Sequence, residues 1–238
     1  MRFLLLSLLL AASASAQAPD TLTVAPGDGT LVTDWLAPGT TSYTIRLVQP
    51  IQQDVGTAVE TIAIDGGVVT RVTNVSVPMQ GMLQTDTLVA DAETLTPSTH
   101  VSEGGPSDAS LEFMDEGIVG LLTPQDGEAK TVMVMTNGPV FDSAWMGEIA
   151  QSLPLEAGLV ARVQAYATQS PDETFMAVLT VGAAGTTATP DGDRASVPVT
   201  VEMGPLTMTY AVDAETRALL STQFSPQPGV VIEIAPAE

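Results

Sequence analysis

From Ser42 onward, apolar and polar residues alternate with a period of two through most of the chain. In the segment 43–48, Tyr43, Ile45 and Leu47 share one face. In 196–203, Val197, Val199, Val201 and Met203 face one way, while Ser196, Pro198, Thr200 and Glu202 face the other. In 206–212, Leu206, Met208, Tyr210 and Val212 alternate with Thr207, Thr209 and Ala211. Such alternation predicts antiparallel strands with one buried face. Turn signals divide the runs at 65–67, 103–106, 115–117, 125–127, 190–193 and 203–205, giving about eleven or twelve strands at the spacing of an all-β sandwich or barrel. The predicted core runs through these strands and includes Tyr43, Ile45, Val72, Leu88, Leu111, Phe113, Leu179 and Tyr210.

Two runs are apolar on both faces. Val132 and Val134 oppose Met133 and Met135, and Phe175, Ala177 and Leu179 oppose Met176 and Val178. A strand apolar on both faces is expected between two layers. The second layer can be a helix, another sheet, or a hydrophobic cavity in which flexible methionine accommodates varied ligands. Met133, Met135, Met176, Val178 and Trp145 are therefore the candidate ligand-binding residues.

One segment departs from the period of two. Across 140–158, Asp142 is placed to cap a helix, Phe141 and Met146 can form a hydrophobic staple, and Trp145 and Ile149 fall on one helical face. Pro154 bars continuation, so a short helix over about 143–152 is expected. The tetrapeptide Asp-Ala-Glu-Thr occurs at 91–94 and again at 213–216. Aspartate at the start of a turn accepts a backbone N–H two residues on, so both copies are read as hairpin turns. A rival for the second copy makes Asp213 the cap of a helix. Pro97 argues against a helix at the first.

Composition adds compartment and partners. Residues 1–16 carry one positive charge, a short Leu-rich run and Ala14 and Ala16 before Gln17, the pattern of a cleaved secretory leader. Residues 17–40, rich in Pro, Gly, Asp and Thr, are expected as a flexible arm able to dock Leu31, Trp35 and Leu36. Residues 41–234 then form a single antiparallel β domain, with 235–238 as a tail. No later run approaches the ~20 apolar residues of a membrane helix. Ten aromatic residues in the whole chain are too few for the aromatic girdles of an outer-membrane barrel. The expected product is soluble, in the periplasm or secreted. The absence of cysteine excludes disulfides, thiolate chemistry and an acylated-cysteine anchor. With 28 acidic residues against 7 Lys plus Arg, and a net charge of −21, the surface repels phosphate backbones and nucleic acid is not a partner.

Catalytic and metal signals are weak. His100, the sole histidine, has no nucleophile elbow to serve and is read as a strand-surface residue. Asp191 and Asp193 lack the ligand spacing of a calcium loop, so no metal is implied. No cofactor motif occurs, no carboxylate pair is spaced for acid–base work, and an enzyme is the weakest of the functional classes.

The features run in the order "DTLVADAETLTPSTH", "LEFMDEGIVGLL", "PVFDSAWMGEIAQSLPLEAG", "TTATPDGDRASVPVTV" and "YAVDAETRALL". That order resembles an exported bacterial β-protein family, domain-of-unknown-function family 3108, over about 42–225. The Phe-Asp-Ser helix followed by Leu-Pro-Leu is its most specific piece. The resemblance implies a curved antiparallel sheet, half-barrel or clam-like, partly wrapped round a helix and reminiscent of the Lol-type lipoprotein carriers. It transfers no catalytic residue. Two functions follow as expectations: a non-catalytic carrier or sensor of an acyl-chain ligand or lipidated protein, or an envelope interaction module with a filled core.

Overall fold

The computed structural model describes residues 21–237, so the leader and its cleavage site lie outside the described residues. The first half holds β1 (Thr21–Val24), β2 (Gly39–Gln49), β3 (Gln53–Asp65), β4 (Val68–Val77) and β5 (Met82–Asp91). It continues with β6 (Pro97–Glu103), β7 (Ser107–Met114), β8 (Gly117–Pro124) and β9 (Lys130–Met135). The two-residue β10 (Phe141–Asp142) then enters a 3-10 turn (Ser143–Trp145) and α1 (Met146–Ser152), the one α-helix among the described residues. The second half holds β11 (Val160–Tyr166), β12 (Thr174–Val181), β13 (Gly185–Thr189) and β14 (Gly192–Met203). It closes with β15 (Leu206–Asp213), β16 (Leu219–Gln227) and β17 (Val230–Pro236). The described residues thus carry more strands than the turn signals predict. β1, β10 and β13 are too short to display a period of two.

All these strands belong to one sheet. Hairpins run without interruption from β2 to β9 and again from β14 to β17, and β17 pairs with β2, with Ile234 opposite Ile45. β12 reaches across β13 to pair with β14. At the far end β1 and β10 both run parallel to β11, so the sheet is mixed there. Among the described residues β9 pairs with β8 alone, and the sheet stays unclosed. Buried side chains of β4, β5, β11, β12, β14 and β15 pack in one cluster with α1 (Val69, Leu88, Val163, Leu179, Val199 and Val212 among them). The sheet therefore curves round the helix. The segment read as an arm contributes β1 to the sheet, and Leu31, Trp35 and Leu36 pack on this same cluster.

α1 begins and ends for local reasons. The Asp142 side chain accepts the Ala144 N–H at 2.8 Å, capping the 3-10 turn. Leu153, preceding Pro154, is extended at φ −68° and ψ 153°, as the proline ring requires. Trp145, Met146, Ile149, Ala150 and Leu153 are all completely buried.

The repeated tetrapeptide builds one turn twice. Asp91 Oδ1 accepts the N–H groups of Glu93 and Thr94 and the Thr94 hydroxyl at 2.8–3.0 Å. Asp213 Oδ1 takes the same three bonds from Glu215 and Thr216 at 2.7–3.0 Å. The aspartate carbonyl accepts the N–H four residues on, and that residue is left-handed in both copies (Leu95 φ 54°, Arg217 φ 64°). Each alanine N–H also donates to a neighbouring backbone carbonyl, Ala92 to Gly67 of the β3–β4 turn and Ala214 to Ala195 of β14. The rival helix at Asp213 is not formed. Asp91→Ala and Asp213→Ala should each lower stability in urea denaturation by about 1–2 kcal/mol. Asp213 should cost more, since it is buried and also pairs with Arg194 at 2.8 Å. Equal and negligible effects would contradict this turn chemistry.

Candidate functional site

On the inward face of the sheet one cross-strand row carries Arg71 and His100 among apolar residues. Ile62, Arg71, Leu88, His100, Leu111, Gly120 and Val132 stand opposite one another from β3 to β9. Arg71 and His100, two strands apart in that row, both reach the start of the helix.

Arg71 makes four contacts there. Its Nη1 pairs with Glu148 Oε1 of α1, and its Nη2 donates to the Ala144 carbonyl at 2.5 Å. Its guanidinium carbon lies 4.9 Å from the centre of the Trp145 ring, a cation–π contact. Glu60 of β3 stands 3.8 Å from Nε and accepts the Tyr43 hydroxyl at 3.4 Å. Burial opposes the charge on Arg71, but Glu148 and Glu60 outweigh it and its pKa is raised. Burial and the negative charge of Glu148 push the Glu60 carboxyl up, against the pull of Arg71. Burial raises the Tyr43 and Tyr210 hydroxyls, with Glu148 adding to it.

His100 forms the second contact. Its Nδ1 lies 2.7 Å from Asp142 Oδ2, on the residue that caps the 3-10 turn. Its Nε2 has no hydrogen-bond partner, and Asp86 at 3.9 Å acts on it through charge. Gln84 holds Asp86 in place at 2.9 Å. Burial lowers the imidazole pKa, but Asp142 and Asp86 more than reverse this and lift it to about 9. Close by, the buried Tyr166 hydroxyl has no partner, and Phe113 meets its ring edge-on at 6.1 Å.

The far end of α1 is tied as firmly. Arg217, from the second Asp-Ala-Glu-Thr turn, donates Nη1 to the carbonyls of Gln151 at 3.0 Å and Leu153 at 2.5 Å. Those carbonyls lie in the last turn, where the helix offers no internal donor. Trp35 Nε1 donates to Ser152 Oγ at 3.1 Å, and Val32 N–H to the Ser152 carbonyl at 2.9 Å.

The sequence-based candidates fall differently. Trp145 alone lies at this cluster, wholly buried. Met133 and Met135 are 72% and 74% exposed, and Met176 is also exposed, because the sheet is a single curved layer whose outer face meets solvent. Val178 is half-buried, opposite Arg162 and Glu202. Inward-facing Val132, Val134, Ala177 and Leu179 are buried instead. The second layer expected outside these strands is absent among the described residues, and the methionines do not line a space beside the helix. His100, read as a surface residue, is buried and ion-paired. Val72 faces outward, with Val69 and Arg71 inward.

The arrangement defines a β-barrel-like protein with an internal helix, latched at both ends. The chain belongs to the family described as "Protein of unknown function (DUF3108)", whose model matches residues 42–232. A crystal structure of a β-barrel-like protein of domain of unknown function DUF1849 from Brucella abortus has the same fold. Its TM-score is 0.55 at 12% identity, covering 85% of this chain and 97% of that one. No curated protein matches the chain.

His100 is the sole histidine, so its imidazole signal can be followed by NMR without ambiguity. It should titrate near pH 9 rather than at its ordinary 6.5. A raised pKa stabilises the fold fully below pH 6.5, and the contribution is lost as pH rises through about 9. His100→Asn should remove that loss. A midpoint near 6.5 would contradict the buried Asp142 pairing.

Proposed function

We propose that the protein is an exported, non-catalytic module of the bacterial envelope, with its own helix filling the space where a carrier would hold a ligand. One observation carries this reading: Trp145, Met146, Ile149, Ala150 and Leu153, none of them exposed, fill the concave side of the sheet. A standing acyl-chain pocket would need some hundreds of Å³ in that place. The carboxylates nearest an acid–base arrangement, Glu60 and Glu148, both pair with Arg71, and Glu148 is shut away from solvent. They hold structure instead of exchanging protons with a substrate. The leader pattern at 1–16 supports export, into the periplasm or beyond.

A second reading, reversible carriage of an acyl chain with α1 as a lid, has one observation in its favour. Arg71 Nε, Glu148 Oε2, His100 Nε2 and Trp145 Nε1 are buried without hydrogen-bond partners around the latch. Leaving such groups unpaired costs about 1–3 kcal/mol each, and lifting the helix would return them to water. Titration with a dansylated undecanoic acid below its micelle concentration separates the two. The filled module gives no saturable fluorescence increase, whether wild type or Arg71→Met. Saturable binding by the wild type would replace the module with the carrier.

A further inference from the structure

The hairpin tips divide by charge between the two rims of the sheet. On one rim every tip is acidic: Asp65 between β3 and β4, Asp91 and Glu93 between β5 and β6, and Asp115 and Glu116 between β7 and β8. Asp191 between β13 and β14, and Asp213 with Glu215 between β15 and β16, complete it. On the other rim, three tips adjacent in the sheet carry no charge. They are 50–52 between β2 and β3, 78–81 between β4 and β5, and 228–229 between β16 and β17. Their sequences are Pro-Ile-Gln, Pro-Met-Gln-Gly and Pro-Gly. The flanking tips, Gly-Pro at 204–205 and Gly-Gly-Pro at 104–106, are also uncharged but expose no large apolar side chain, and farther round the β8–β9 turn carries Asp126 and Glu128.

The same tips present large apolar side chains to solvent. Ile51 is 57% exposed, Met79 77%, and Leu83, at the start of β5, 70%. Gln53 Nε2 meets Met79 Sδ at 3.9 Å, which ties the β2–β3 tip to the β4–β5 tip. Behind them Ile45, Ala58 and Val77 form a small buried cluster with Val55, Val75 and Met82 packed on it, so the tips stand on a firm base. Asp54, beside the β2–β3 tip, is neutralised by Arg46 at 2.7 Å. In a chain of net charge −21, these tips make an uncharged apolar prow at one rim of the sheet.

We infer that these three tips are a docking surface for a lipid bilayer, entered by Ile51, Met79 and Leu83. Three separated side chains on turns offer far less than the ~800 Å² per partner of a stable protein interface. They suit shallow insertion among headgroups, where each side chain is buried singly and no charge has to be stripped of water. The 13 residues of β3 separate the rims by roughly 40 Å at ~3.3 Å per residue. That is several Debye lengths at physiological salt, so the acidic rim exerts little repulsion on a membrane at the neutral one. Attachment is therefore apolar and independent of anionic lipid. It does not depend on whether α1 is fixed or mobile.

The chain has no cysteine, which allows a single reporter thiol to be placed at will. In the full chain, Ile51→Cys or Met79→Cys labelled with an environment-sensitive fluorophore should shift to the blue on adding phosphatidylcholine vesicles. The label at Glu93→Cys, on the acidic rim, should not shift. Raising salt should leave the effect in place, and Leu83→Asp should reduce the shift at position 79 several-fold. The label reads the depth of the tip itself, so attachment through the leader does not mimic the result. No shift at either tip overturns the inference, as does an equal shift at Glu93→Cys. A tip shift that follows protein concentration without vesicles assigns the surface to a second copy and equally overturns it.

Discussion

The structure depends on one buried charge, Arg71. It rises from the inner face of β4 into an apolar interior and must find compensation there, because an unpaired buried cation is prohibitive. Glu148 on α1, the Ala144 carbonyl, the Trp145 face and Glu60 together supply it. All except Glu60 belong to the helical segment, so neutralising Arg71 fixes where that segment sits. Buried ion pairs contribute little net stability against an apolar replacement, but removing one partner is severe. What Arg71 provides is position: of the ways an apolar helix could lie in a curved apolar sheet, few bring Glu148 to Arg71 and Asp142 to His100 together.

That placement organises the rest. With α1 fixed, the concave face of the sheet is filled and the outer face carries the surplus of apolar and acidic residues. Met133, Met135 and Met176 lie on that outer face. The second Asp-Ala-Glu-Thr turn has a double use, since the left-handed conformation at Arg217 aims its guanidinium at the end of α1. The first copy uses the equivalent residue, Leu95, for the apolar core. One turn geometry thus serves two anchoring chemistries.

The all-β architecture, the short helix and both aspartate turns were legible in the sequence, because each rests on local chemistry: period two, a cap with a following proline, and an aspartate accepting nearby N–H groups. The buried cluster was not. Around His100 the alternation is inverted, with His100 and Ser102 inward while Val101 is only half-buried, so an apolar rule sends the histidine outward. In β4, valines occupy both parities, which left Val72 and Val69 equally eligible for the core and hid the inward Arg71. Its partner Glu148 lies 77 residues away, with no local trace of the pairing. The methionines misled for a related reason: apolar side chains on both faces of a strand do not by themselves require two layers.

The central claim, that Arg71 and Glu148 act as one unit fixing α1, is tested most directly by a double-mutant cycle in denaturant. Arg71→Met and Glu148→Leu should each cost about 3–5 kcal/mol, since each removes the main partner of a buried charge. The double variant should lose much less than the sum, returning a coupling energy toward the upper end of the usual ~0.5–3 kcal/mol. Additive losses would contradict the account and leave α1 held by apolar packing and its other polar ties.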